Sequence, residues 1–321
     1  MFTVRRITVA ATFLLFALLP RTAFGQPVYK YQQIDFPGAS FQGTVPTGID
    51  DAGQIVGYYY DQYAYYHGFT LVKGVFTTVD FPNPEIQTSL DAINNCGTMV
   101  GHIFYSPNSQ YPAYQSFIAA NGKFALLDYP GAGITLAGGI NDYGVISGTY
   151  DLAGYTGAAN TGFVFSHGEF TTPANLPPYP YGLNDLGDAV GYYCPGNPTC
   201  YGTGTYTGFL YSQRTQTVLP IAFPGLAGEF PTIASGINNF GDVVGFYYPP
   251  SPNPQGFLYS HGEYTTIAVP GGRGTLAYSI NNAGVIVGSF GDGTGASHGF
   301  IATPQIHPAP PVLPASACNP Q

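Results

Sequence analysis

Basic residues are scarce in this 321-residue chain, with 8 Lys and Arg against 17 Asp and Glu. Tryptophan is absent, there are 2 methionines and 4 cysteines, and charged residues of both signs make up only 8%. A nucleic-acid partner is not expected, because phosphate binding needs clustered Lys and Arg. The sequence has no GxSxG, no HExxH and no phosphate-binding loop, which removes the most legible hydrolase, metalloprotease and nucleotide signatures. With no CxxC pair, the cysteines do not read as a zinc site. After residue 25 no apolar run is long enough to span a membrane.

What the chain has instead is 44 Gly, 29 Pro and 27 Tyr at 45% hydrophobic content. Gly and Pro at that level exclude a helical protein, and the hydrophobic content excludes general disorder. Many short strands joined by turns satisfy both.

The first 25 residues read as a secretory signal peptide. Arg5 and Arg6 precede an apolar run over residues 7–19, followed by Pro20 and the small-residue stretch Ala23-Phe24-Gly25. Cleavage is expected before Gln26, since a run of 13 residues is too short to cross a bilayer. Losing Arg5, Arg6 and Arg21 leaves 5 basic residues against 17 acidic, a net charge of about −12. The expected location is extracellular or periplasmic, where disulfides persist. Cys194 and Cys200 bracket the turn-forming loop "PGNPT", so a local disulfide is expected there. Whether Cys96 and Cys318 pair or stay free is left open.

Internal repetition organises the rest. "GIDDAGQIVGYY", "AINNCGTMVGHI", "GINDYGVISGTY", "GLNDLGDAVGYY", "GINNFGDVVGFY" and "SINNAGVIVGSF" are six copies of one strand–turn–strand unit. Their turn residues are Asp50, Asn94, Asn141, Asn184, Asn238 and Asn281, at intervals of 44, 47, 43, 54 and 43. Asn or Asp followed by Gly supplies the positive-φ positions of a tight hairpin. Asn and Asp exchange at this position and few other carboxylates are supplied, so a calcium loop is not expected. Each unit continues into a strand centred on Phe69, Phe117, Phe163, Phe209, Phe257 or Phe300, then one resembling "FTTVDFP". Four strands per repeat of this length predict an all-β, six-bladed propeller over residues 26–303. The lone strand "YQQIDFPG" near the start is expected to complete the sixth blade and close the ring. Residues 304–321 form a Pro-rich tail. Thr44, Thr88, Thr135, Thr232 and Thr275 recur in the first strand, with Pro178 in the fourth unit.

The "HGF(L/I)" strand followed by "G-x-F/Y-T-T" and "INNxGxIVG" resembles the bacterial extracellular HAF repeat family. The resemblance covers nearly all of residues 31–302, with Phe-Pro-Gly and Tyr where other members often carry Leu-Gly and Trp. It implies an exported repeat protein and brings no established catalytic residues.

The loops divide into two sets. From the turn Asn/Asp to the Gly of "IVG" is seven residues in every unit, whereas from that Gly to the Phe is 12, 16, 15, 18, 12 and 12. Alternate connections of a four-stranded blade emerge on the same face, so one face is constant and the other variable. Ligand-binding residues favour loops on a rigid scaffold. The variable loops carry Tyr60, Tyr63, Tyr65, Tyr66, Tyr105, Tyr111, Tyr114, Tyr155, Tyr201 and Tyr206. Tyrosine suits sugar rings or peptide surfaces, and it equally packs between blades. The expectation is a monomeric, cofactor-free and metal-free binding module for an extracellular carbohydrate or protein. The alternatives are a propeller glycoside hydrolase or polysaccharide lyase using Glu85, Glu229 and Asp91, and a structural surface module. Asp61 and Asp151 also break the repeat pattern near this face. His67 and His298 align with Gln115, Thr161, Thr207 and Gln255 and read as polar strand positions, while His167 and His261 fall in constant-face turns.

Overall fold

The computed structural model describes residues 27–83, 86–105, 114–152, 160–196, 200, 206–225, 231–251 and 253–305. Six four-stranded antiparallel sheets follow one another around a ring. Five are sequential in the chain, spanning residues 44–78, 86–127, 134–171, 179–221 and 232–267. The sixth combines three strands from residues 273–304 with Tyr29–Ile34, which pairs antiparallel with Ser297–Pro304 in the register Tyr29↔Pro304 to Ile34↔Gly299. Joining the two ends of the chain in one sheet closes the ring without leaving a sheet edge at the seam.

Each blade is built around one contact. The Gly of "IVG" or its equivalent pairs across the sheet with the third-strand Phe, as in Gly148↔Phe163 and Gly245↔Phe257. All six of these phenylalanines are fully buried. A Cβ at Gly148 would come within 2.3 Å of the Leu136 carbonyl oxygen and 2.6 Å of the Phe163 ring, so the ring covers backbone that only glycine leaves bare. The first-strand threonines link neighbouring blades. The Thr44, Thr88, Thr135 and Thr275 hydroxyls accept the backbone N–H of Phe36, Phe81, Tyr129 and Val269 at 2.8–3.2 Å.

The repeated turns close a hydrogen-bonded belt around the constant face. Their glycines have φ of 74–80°, as a tight turn requires. Asn141 Oδ1 accepts the N–H groups of Tyr143 and Val145 within its own turn, and its Nδ2 donates to the Asn184 carbonyl of the next blade. Asn94, Asn184, Asn238 and Asn281 donate onward in the same way, at 2.9–3.3 Å. The neighbouring residues form a second circuit, in which one backbone N–H donates to the next blade's side-chain Oδ1. It runs Asp51, Asn95, Asp142, Asp185, Asn239, Asn282 and back to Asp51, at 2.7–2.9 Å.

The backbone bonds of the second circuit need only an acceptor, which Asn and Asp both supply. Asn95, Asn239 and Asn282 also donate their amides to the Asp51, Asp142 and Asp185 carboxylates. The first circuit instead needs a donor at every position. Asp50 occupies the one first-circuit position without an amide. Burial raises its carboxyl pKa above the ordinary value. Asp50→Asn is expected to supply the missing donor to the Asn94 carbonyl and stabilise the chain by about 1 kcal/mol at neutral pH. Because the folded pKa is raised, the wild-type contribution is present below the unfolded pKa and lost as pH rises through the folded one. The gain from Asn should therefore shrink on acidification, which denaturant unfolding at neutral and acidic pH would measure.

The Cys194–Cys200 disulfide forms as expected, with Cα atoms 5.2 Å apart. Cys318 lies outside the described residues, as do residues 1–26 and most of the Pro-rich tail. Among the described residues no helix is long and apolar enough to cross a membrane.

Candidate functional site

The six innermost strands surround a central channel that changes character along its length. Beside the Asn/Asp belt, Ile49, Ile93, Ile140, Leu183, Ile237 and Ile280 form a buried aliphatic girdle. Toward the variable face the channel widens into a cavity of about 710 Å³, within the usual range for small-molecule sites.

A β-bulge in every innermost strand turns its inserted residue toward this cavity, and in five of the six that residue carries a side chain. Register shifts occur between Pro46/Gly48, Leu90/Ala92, Ala137/Gly139, Pro180/Gly182, Ala234/Gly236 and Ala277/Ser279. The inserted residues are Thr47, Asp91, Gly138, Tyr181, Ser235 and Tyr278, and all six line the cavity. A bulge re-aims a side chain that an uninterrupted pleat would place elsewhere. The residue that follows is small in each blade because neighbouring inner strands nearly touch. A Cβ on Gly236, for example, would lie 2.9 Å from the Ser279 Cα.

Five tyrosines and Phe246 supply the aromatic part of the wall. Tyr181 and Tyr278 project from bulges, Tyr179 stacks on Tyr192 with centroids 4.6 Å apart, and Phe246 meets Tyr278 edge-on at 6.0 Å. Asn160 Nδ2 donates to the Tyr179 hydroxyl at 2.6 Å. Burial pushes the Tyr278 phenol up to about 12 and raises those of Tyr179 and Tyr192. These hydroxyls stay protonated near neutrality and can both donate and accept.

Asp91, one of the carboxylates marked in the sequence, lies in this wall. One of its oxygens accepts the Ser89 hydroxyl at 2.9 Å and the other is 2.7 Å from His102 Nδ1. Burial opposes a charged imidazole, but the Asp91 charge and hydrogen bond outweigh it and hold the His102 pKa above its ordinary value. Asp151 is a second, buried carboxylate in the lining. Glu85 and Glu229 lie outside the described residues.

The loop tyrosines separate into groups. Tyr63 and Tyr65 are 71% and 50% exposed at a hairpin tip. That tip is held by Asp61 Oδ1, which accepts both of their backbone N–H groups. Tyr60 and Tyr66 pack edge-on at 6.1 Å, and Tyr66 reaches Phe104 of the next blade. Tyr105 donates its hydroxyl to Gln115 Oε1, and Tyr206 meets the Tyr192 ring at 5.2 Å. Tyr114 lines the cavity 5.7 Å from His102. Tyr111, Tyr155 and Tyr201 lie outside the described residues. The sequence reading passed over Tyr179, Tyr181, Tyr192, Tyr278 and His102.

Two other histidines are held between carboxylates on the rim. His67 lies 2.8 Å from Asp80 and 3.7 Å from Asp61, and His298 lies 2.9 Å from Asp35 and 3.6 Å from Asp292. His167 and His261 occupy tight turns at φ of 53° and 52°, each beside a serine hydroxyl. Among the described residues no group of three or more His, Cys, Asp or Glu is placed to hold a metal.

No family model and no curated protein matches the sequence. Solved structures do match the fold. TolB from Acinetobacter baumannii aligns at TM-score 0.51 and 11% identity, over 78% of this chain and 63% of TolB. This chain thus spans less than two thirds of that protein's length. The β-propeller domain of the Trilobed protease from Pyrococcus furiosus aligns at TM-score 0.51 and 9% identity, over 85% of this chain and 98% of that domain. At these identities the likeness concerns the propeller fold alone.

Proposed function

We propose that the chain is an exported carbohydrate-binding propeller, an HAF-type repeat protein that takes its ligand in the axial cavity. The cavity's lining carries this reading. Tyrosine faces suit the C–H faces of sugar rings, while their hydroxyls, Asn160 and Asp91 suit sugar hydroxyls. A concave site of this size fits a few linked rings better than the surface of a folded protein. Export rests on the charged and apolar pattern of residues 1–25 and accords with the disulfide.

A polysaccharide panel run by affinity electrophoresis, with product analysis of each mixture, tests the proposal. Retardation without product is the expected result. A chain that migrates unchanged through every polysaccharide would refute it.

One observation favours a hydrolytic second reading. His102, oriented by Asp91 within the cavity, has the arrangement of a general base that activates water. That reading requires products in the same assay and their loss in His102→Gln.

A further inference from the structure

The cavity's charge narrows the sugar class. Among the described residues no Lys or Arg lines it, in a chain whose exported part carries a net charge of about −12. The wall offers aromatic faces, which attract cations through the ring quadrupole. The phenols are neutral, because burial raises their pKa values.

Asp91 adds a carboxylate at the position where the other bulges present Thr47, Gly138, Tyr181, Ser235 and Tyr278. Threonine, glycine, serine and tyrosine all satisfy the backbone there, so the fold does not require a charge. Ser89 and His102 use part of the carboxylate's accepting capacity and leave further lone-pair directions for a ligand. His102, whose pKa Asp91 holds above the ordinary value, offsets part of this charge when protonated, and the buried Asp151 adds a second carboxylate to the lining.

We propose that the bound glycan carries free amino groups, a glucosamine-type sugar whose ammonium sits between the Asp91 carboxylate and the tyrosine faces of the axial cavity. This rests on the carbohydrate reading above and specifies its ligand. It also implies discrimination: an N-acetylated sugar brings the same ring without the charge, and a uronic acid brings the wrong one.

Calorimetric titration with three β-1,4-linked tetramers, of glucosamine, N-acetylglucosamine and glucose, tests it at one pH where the amines are charged. The glucosamine tetramer should bind at least tenfold more tightly than the other two, an advantage that added salt reduces. Asp91→Asn should abolish the preference, and an unchanged circular dichroism spectrum and melting temperature would show that the propeller is still formed. If the three bind within twofold, or the preference survives Asp91→Asn, the amine assignment is overturned and the carbohydrate reading stands. If none binds at millimolar concentration, both are overturned.

Discussion

Phe163→Ala is expected to remove about 3–5 kcal/mol of stability, a large share of what holds a domain folded. Phe163 is fully buried with Val100, Leu127, Ile140 and Ile146, contributed by two neighbouring blades. Its ring packs edge-on against Phe170 at 5.2 Å and covers the bare backbone at Gly148. Truncation would leave a void that the flanking strands cannot close, because their spacing is fixed by hydrogen bonds. Filling it from the other side fails as well. In a Phe163→Ala/Gly148→Ala double variant the new Cβ would still meet the Leu136 carbonyl at 2.3 Å, a backbone atom that removing the ring does not move. The double variant should therefore be no more stable than Phe163→Ala alone. Equilibrium urea unfolding followed by circular dichroism measures both, and a loss below about 1 kcal/mol for Phe163→Ala would contradict this account of the blade core.

The architecture was legible because its signals are local and repeated. An Asn-x-x-Gly turn fixes a hairpin within a few residues, and six copies spaced for four strands leave few alternatives to a ring. The first circuit of the belt was not legible. Asp50 looks equivalent to its five Asn counterparts when only the turn is considered, since either oxygen can accept the turn's N–H groups. The difference arises in the amide that donates to the next blade, a partner 43–54 residues away in four of the five bonds made within the sequential run and across the seam in the fifth.

The site was half legible for a related reason. Aligning the repeats marks the position three residues before the turn Asn/Asp as variable, and Asp91 stood out there. Its direction comes from the bulge, which local pattern does not reveal. Tyr181 and Tyr278 occupy the same position in strands whose alternation gives no sign that they reach the axis. Tyr63 and Tyr65 drew attention as loop residues and are indeed exposed, yet they stand at a hairpin tip outside the cavity lining.

The central claim is that ligand enters the axial cavity rather than lying on the outer loops. It is tested most directly by titrating the best-retained glycan against two double variants, Tyr181→Ala/Tyr278→Ala and Tyr63→Ala/Tyr65→Ala. Removing the two cavity rings takes away stacking surface from two blades of the ring, the fourth and the sixth, and should weaken binding about 100-fold, on the order of 2–3 kcal/mol. Tyr181 is 40% exposed and Tyr278 half-buried in the cavity wall, neither in the blade cores, so the melting temperature should fall by only a few degrees. The account predicts loss of binding in the cavity variant and wild-type affinity in the hairpin-tip variant; full affinity in the cavity variant with loss at the hairpin tip would contradict it.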